Sequence, residues 1–341
     1  MPGKMRRVLF LGDSKLQVNE MPVPEPGPGE ALIQIAISAI CGSELPSLRR
    51  GMWSDQYSND GHEMAGVVIK ANGLRHIREG QRVGLQIMVG CGHCKYCVQG
   101  DPKHCVHGMA YLLDGHSEFI VAPEMCIVPL PDDLDWDAGV LLCGDTLGTP
   151  YHALKRMGGV NAALVAAVFG CGPIGLGFVT WLKFFGVYTI VSEPDAYRRT
   201  LAERLGADLA LDPRNADVVP HIRQVTNGGA DLCIDCSEAE QTLSDALDAA
   251  RIHGHVIWVG EKDSCTIKPT EQIIHKELRM TASWYFTVSD FLEEVEFFRR
   301  HLPVSQLITH RYSLGEAADA YERFKSGGTG KVVFDYPLQF K

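Results

Sequence analysis

From about residue 162 to residue 282 the chain alternates strand-length apolar runs with helix-length segments, and this alternation restricts the fold more than any other feature. Residues 163–169 are continuously apolar, as expected of a strand buried on both faces. Residues 173–185 have helical length, and Pro173 suits a first helical turn, where a missing N–H costs nothing. Segments 188–192, 209–211, 231–235, 255–259 and 278–282 supply five more strands, with helical segments between most of them. Such repetition predicts a parallel, doubly wound sheet. Upstream, to about residue 145, the chain reads β-rich. In 31–40, Ile33, Ile35 and Ile37 alternate with polar Gln34 and Ser38, which predicts one buried and one polar face. The Pro/Gly-rich stretch 22–29 before it reads as a surface loop. Beyond Trp284 the pattern predicts a helix (288–300), a strand (307–312), a helix (315–324) and a last strand (331–334).

A chain of 341 residues is long enough for two domains. With 45% hydrophobic and 22% charged residues it has the composition of a soluble globular protein. A net charge of -10 argues against nucleic acid or an anionic membrane as partner. There is no run of 18 apolar residues, and the start lacks the pattern of a secretory leader. Eleven cysteines could form a disulfide framework, but the odd count, the C-x-x-C clustering and the missing leader predict reduced thiols in the cytoplasm.

Cys91, Cys94, Cys97 and Cys105 have metal spacing. Tight turns aim successive thiolates at one point, and four thiolates close a tetrahedron with no open position, which is a structural zinc site. Gly170-Cys171-Gly172-Pro173-Ile174-Gly175 follows the first apolar strand and opens a helix. In that context the glycines permit a sharp turn, close approach to a pyrophosphate and tight helix–strand packing. Glu193 ends the next strand at about the 20-residue offset where a carboxylate accepts ribose hydroxyls. A 2′-phosphate would meet like charge there, so NAD is favoured over NADP. Arg198, like its neighbour Arg199, could instead bind that phosphate. With Arg199, Glu203 and Arg204 it also reads as part of a solvated helix face.

A second, open metal site is expected around Cys41 and His62, a soft thiolate and an imidazole about twenty residues apart. Taken singly, Cys41 also reads as a buried thiol and His62 as a core histidine. Cys126, Cys171 and Cys265 read as packing residues. Cys233 and Cys236 lie on an apparent strand, pointing to opposite faces. His93, His104 and His107 read as exposed. Trp53 and the segment Trp284-Tyr285-Phe286 could line a substrate cleft, and core packing suits the second equally.

In their order along the chain, C-G-S-E at 41–44, G-H-E at 61–63, the four-cysteine loop, G-C-G-P-I-G at 170–175 and G-K-V-V at 330–333 resemble the zinc-containing medium-chain alcohol dehydrogenases, near their polyol and sugar branch. The resemblance spans nearly the whole chain. It implies an α/β plus β protein with a GroES-like catalytic domain built from both chain ends (1–148 and 285–341) around a Rossmann NAD-binding domain (149–284). It implies two zincs per chain, NAD as cofactor, a small alcohol or ketone as substrate, and a homodimer or homotetramer. Cys41 and His62 become zinc ligands, Ser43 the hydroxyl that takes the substrate proton, and Glu44 the group that orients His62. Glu63 stands beside the metal and can exchange with water as a ligand. Counting back from Tyr151-His152-Ala153-Leu154 puts Asp145 at the third ligand position, with Cys143 two residues early. Some relatives carry a relay histidine where this chain has Pro46, so an outer proton path would need Ser47, water, ribose hydroxyls or another residue. The implied reaction is hydride transfer between NAD and a secondary alcohol of a polyol, sugar or cyclitol. Threonine, butanediol or a simple alcohol are alternatives, as is an idle NAD-binding or structural member.

Overall fold

The computed structural model describes residues 3–52 and 55–339, so Trp53 lies outside the described residues. Six strands form one sheet, in the order Leu209–Leu211, Tyr188–Ser192, Val165–Phe169, Ala230–Asp235, Ala250–Trp258, Arg279–Ala282. Every pairing in it is parallel. In chain order this is 3-2-1-4-5-6, the doubly wound arrangement in which ligands bind at the carboxyl ends where strand order reverses. That reversal falls between Val165–Phe169 and Ala230–Asp235, and the glycine turn sits at its mouth.

The second sheet has seven strands and draws on both chain ends. Glu30–Ile40 is its centre, flanked by Lys331–Asp335 on one side and Glu63–Asn72 on the other, with Phe119–Pro123 also pairing to it. The expected polar face of the central strand is absent: Gln34 and Ser38 are as buried as the isoleucines. Coverage on both faces forces each polar group to find a partner. The Gln34 amide donates to the Pro337 carbonyl at 3.2 Å, and the Ser38 hydroxyl lies 2.9 Å from both His116 Nδ1 and the Tyr336 hydroxyl. The strand expected from residue 255 starts at Ala250, because its first half runs on past a register shift opposite Ala230 and Leu232.

Helix Asp145–Arg156 joins the two sheets. Pro150 lies inside it and has no N–H for the Thr146 carbonyl. Helix Pro173–Phe184 approaches there through Gly177, where a Cβ would come within 1.9 Å of the Thr146 oxygen. Trp181, fully buried, donates to the Leu147 carbonyl at 3.0 Å. Its ring lies 4.9 Å from Tyr151 and 5.6 Å from Phe297 of helix Val288–Phe298. Aromatic pairs of this kind contribute about 0.5–1.5 kcal/mol each beyond area burial, so they fix helix Asp145–Arg156 against helix Pro173–Phe184 and the six-stranded sheet.

Candidate active site

Strand pairing brings the first ligands together. In the antiparallel register Ala39 faces Glu63, so Cys41 and His62 come off neighbouring strand ends on the same side. Val332 faces Ile40, which sets Lys331 beside Cys41. Gly144 lets the third element close in: a Cβ there would meet the Val140 carbonyl at 2.4 Å and Glu63 at 2.7 Å. Asp145 then opens its helix, where the dipole favours a carboxylate. Ligand atoms of Cys41, His62, Glu63 and Asp145 all lie within 4.8 Å of one another. Asp145 Oδ2 is 3.3 Å from His62 Nε2, and Ser43 Oγ is 3.4 Å from the same nitrogen. Thiolate, imidazole and carboxylate form a donor set that suits zinc. Cys143 stands outside this group. It is buried against Gly84, where a Cβ would come within 2.6 Å of its sulfur, and burial pushes its thiol far up.

Burial opposes a charged His62, but its hydrogen bonds to the Asp145 carboxylate and the Cys41 thiolate outweigh it and raise the imidazole well above its usual range. His62 Nδ1–H donates to the Asp60 carbonyl at 2.7 Å, which leaves Nε2 for a metal. The expected partner Glu44 does not make that bond. Its carboxylate is engaged elsewhere: Oε1 accepts the Cys41 N–H at 2.8 Å, while Oε2 meets His116 Nε2 at 2.9 Å and the Tyr321 hydroxyl. Glu44 therefore steadies the cysteine ligand, and a backbone carbonyl orients the histidine. Glu63 is fully buried and paired with the Lys331 ammonium, and the Thr146 hydroxyl donates to its second oxygen at 3.2 Å. Ser47 donates to Asp60 Oδ2 at 2.6 Å. Sequence reasoning gave no role to Lys331, quoted only within G-K-V-V, or to His116, Tyr321, Thr146 and Asp60. The one available signal was a lysine heading the apolar strand Lys331–Asp335.

The four-cysteine loop is equally convergent. Sγ–Sγ separations are 3.5 Å for Cys94–Cys97 and 4.0 Å for Cys91–Cys97. Four sulfurs about 2.3 Å from one zinc stand about 3.8 Å apart, whereas a disulfide needs about 2.05 Å. The Cys91 N–H donates to Cys105 Sγ at 3.3 Å, bringing the fourth sulfur in. Backbone amides of Cys97 and Val106 lower the Cys94 thiol to about 6, which favours the metal-binding thiolate. His93, His104 and His107 are exposed and outside the cluster.

At the glycine turn Gly170 has φ +91°, and a Cβ on Gly175 would lie 1.9 Å from the Gly170 oxygen. A Cβ on Gly172 would meet nothing within 4 Å, so there is open space above the start of helix Pro173–Phe184. That is room for a pyrophosphate at a helix N-terminus, with Pro173 and Ile174 as its first residues. Glu193 is buried and accepts the Cys171 N–H at 2.6 Å and the Asp195 N–H at 2.8 Å, which ties it to the turn. The solvated reading of the arginines is corrected. Arg198 donates to the Thr329 carbonyl at 3.0 Å, and Arg199 to the Glu193 and Pro194 carbonyls at 2.7 Å while pairing with Asp212. Both guanidiniums are drawn onto backbone oxygens, Arg198 on the C-terminal segment and Arg199 beside its own strand end. A cavity of about 350 Å³ lies beyond the strand ends, bounded by Trp258, Glu261 and Trp284 among others. Tyr285 and Phe286 turn away from it into the core.

Residues 173–300 match the zinc-binding dehydrogenase family and residues 27–132 the alcohol dehydrogenase GroES-like domain. An uncharacterized zinc-type alcohol dehydrogenase-like protein of Escherichia coli K12 is 31% identical over 96% of this chain and 97% of its own. An L-threonine 3-dehydrogenase of Pyrococcus furiosus is 31% identical over 92% and 93%. A putative zinc-binding dehydrogenase of Sinorhizobium meliloti 1021, solved bound to NADP, superposes with a TM-score of 0.87 at 26% identity, covering 98% of this chain and all of that one. A structure from Escherichia coli CFT073, described as a short chain alcohol dehydrogenase complexed with NADH, gives 0.88 at 25% identity over the same shares. The donor set, the glycine turn and these likenesses agree, and the chain belongs to the zinc-type alcohol dehydrogenases, GroES-like and Rossmann-like in its two parts, which use zinc and a nicotinamide cofactor.

Proposed function

We propose that this chain oxidises a secondary alcohol of a polyol, sugar or cyclitol with NAD+ and reduces the corresponding ketone in reverse. The observation that carries the reading is the convergence of Cys41, His62, Glu63 and Asp145 within 4.8 Å. Cys41, His62 and Asp145 would hold a catalytic zinc, and Cys91, Cys94, Cys97 and Cys105 a structural one. Bound zinc would lower the pKa of an alcohol hydroxyl, and the nicotinamide would accept hydride. Ser43, exposed beside His62 Nε2, would take the hydroxyl proton. Pro46 cannot pass it on, and the Ser47–Asp60 pair is the next hydroxyl–carboxylate pair on that side. Glu63, neutralised by Lys331, would stand ready beside the ligands. Gly170, Gly172, Pro173, Ile174 and Gly175 would cradle the pyrophosphate. Glu193 favours NAD over NADP, because its carboxylate would repel a 2′-phosphate, while Arg198 is engaged with Thr329.

Division into a catalytic part (1–148 and 285–341) and a cofactor part (149–284) follows from the same reading. Polyol-type substrates are supported by similarity to a sorbitol dehydrogenase of Halalkalibacterium halodurans, 27% identical over 94% of this chain. Unpaired thiols suit the cytoplasm, no helix among the described residues is long and apolar enough to cross a membrane, and a homodimer or homotetramer is the expected assembly. The test is a zinc count on fresh protein, followed by NAD+ reduction across a polyol and cyclitol panel. Two zincs per chain with NADH formation would support the reading. One zinc with no turnover, even after zinc is added, would overturn it.

A further inference from the structure

We infer that the buried pair Asp235–Lys262 positions the nicotinamide half of the cofactor, by locking together the two turns beside its place. The inference deepens the proposed function and rests on its placement of the pyrophosphate at the glycine turn. Asp235 is the last residue of its strand, in register with Phe169 on one side and Trp258 on the other. It therefore stands at the carboxyl ends of the strands, where their order reverses and ligands bind. The turn that follows it abuts the glycine turn: a Cβ on Gly170 would lie 3.1 Å from Ser237 Cβ. One residue on, Glu238 Oε1 lies 4.0 Å from a Cβ placed on Gly42, between Cys41 and Ser43. Residues 237 and 238 thus link the phosphate cradle to the ligand cluster, the interval that a dinucleotide bridges between its phosphates and its reacting ring. The cavity of about 350 Å³ at the strand ends is walled by the second turn, residues 259–262, and by Ser283. The Ser283 hydroxyl is buried and has no partner among the described residues. A polar ring substituent such as a carboxamide would satisfy it.

The pair is closed on itself. The Asp235 side chain is fully buried and that of Lys262 is 1% exposed. The ammonium donates to Asp235 Oδ2 at 2.6 Å, to the Ala239 carbonyl at 2.9 Å and to Thr242 Oγ1 at 3.1 Å. Those bonds use all three of its protons, so none is left for a ligand. Asp235 Oδ1 accepts the Thr242 hydroxyl at 2.8 Å and the Ser237 N–H at 3.3 Å. Its carbonyl accepts the Val259 and Gly260 N–H groups at 3.0 and 2.9 Å. Gly260 approaches so closely that a Cβ would lie 2.3 Å from the Ser237 carbonyl oxygen. One carboxylate and one ammonium thus tie a strand end to both turns.

Stability alone does not account for such a pair. Withdrawing two charges from water offsets much of their attraction, and apolar residues of like volume often hold a core as well. What the pair adds is a single arrangement of the backbone beside the cavity. Both groups are engaged within the lock, so they act through the turns and are positioning residues.

Binding of NADH and of ADP-ribose, which lacks only the nicotinamide, to the full chain tests this. The parent should hold NADH about tenfold or more tighter than ADP-ribose. Asp235→Asn combined with Lys262→Met removes both charges and strands neither. It should cut the NADH advantage about tenfold, leave ADP-ribose binding within about twofold and keep the melting temperature nearly unchanged. A merely structural pair would weaken both ligands together with the melting temperature, or weaken neither; either result overturns the inference. So does a parent that holds NADH no tighter than ADP-ribose. Should the double variant not fold, Thr242→Val removes one bond from each charged partner and must show the same selective loss. A parent that binds neither ligand removes the pyrophosphate placement, and this inference falls with it. Selective loss in a chain that turns over no polyol would uphold the positioning role and remove the substrate reading alone.

Discussion

Lys331 is the residue on which the ligand cluster depends for charge. Its ammonium is buried beside Cys41, and although burial disfavours the charge, Glu63 and Cys41 raise its pKa. Removing one partner strands the other, which costs about 3–5 kcal/mol for a buried pair. Lys331→Met should therefore destabilise the fold by that order in urea unfolding. The double change with Glu63→Gln should recover part of the loss, a coupling that a double-mutant cycle reads directly. At the third ligand position two substitutions separate the candidates. Asp145→Ala should lose the catalytic zinc and about a hundredfold or more in turnover, larger than the loss of an outer-shell partner. Cys143→Ala should keep both zincs, because its sulfur packs against Gly84 and belongs to neither metal-ligand group found among the described residues. Metal analysis that found the reverse pattern would move the ligand to Cys143.

The four-cysteine loop has little apolar support of its own: Cys94 is buried, while Val98 and Val106 are largely exposed. Metal must supply the missing cohesion, and structural zinc contributes about 10–16 kcal/mol in small modules. Cys94→Ser should release one zinc per chain, lower the melting temperature and open the loop to protease, whereas Asp145→Ala should leave that melting temperature nearly intact. Elements differed in how clearly the sequence announced them, and the reason is burial. Strands Tyr188–Ser192 and Leu209–Leu211 were legible to the residue because short β-branched or apolar stretches, centred on Ile190-Val191 and on Leu209-Ala210-Leu211, stand between polar turns. The start of Ala250–Trp258 was hidden, because Arg251, Ile252 and His253 are all exposed and one isoleucine between two charged or polar residues makes no apolar run. Gln34 and Ser38 misled in the opposite direction, since a polar residue satisfied by a distant partner looks solvent-facing in one dimension. The site divides in the same way. Cys41, His62 and the cysteine loop are set by local spacing. Glu44–His116 and Lys331–Glu63 join residues 72 and 268 apart, and nothing local marks either pairing.

At the scale of the whole molecule, the return helix Val288–Phe298 clamps the two parts together, and its ionisable groups give the clamp opposite pH responses. Thr287 caps it, while Asp290 binds His152 Nδ1 at 2.7 Å and Lys155 at 3.0 Å. Burial works against the Asp290 carboxylate, but these partners hold its pKa far below the usual range. Its contribution is present above the unfolded value near 3.8 and is lost as pH falls below it. Glu294, one turn on, is the contrary case. It is fully buried, neither oxygen has a hydrogen-bond partner among the described residues, and it faces Asp290, Glu293 and Lys155. Burial first, then the two like charges, raise it well above 4.5. Below pH 4.5 it is neutral in both states and costs nothing as a charge. Above that, the unfolded chain releases a proton that the folded chain keeps, so stability falls as pH rises towards the folded pKa. The slope approaches about 1.4 kcal/mol per pH unit. Glu294→Gln should remove that slope while leaving the acid-side loss from Asp290 in place. Urea unfolding of both proteins at pH 5, 6.5 and 8 measures it: the stability of the variant relative to the parent should climb steadily across the series. Parallel curves would mean that Glu294 ionises in the folded clamp after all, with its charge met by a partner inside the helix junction.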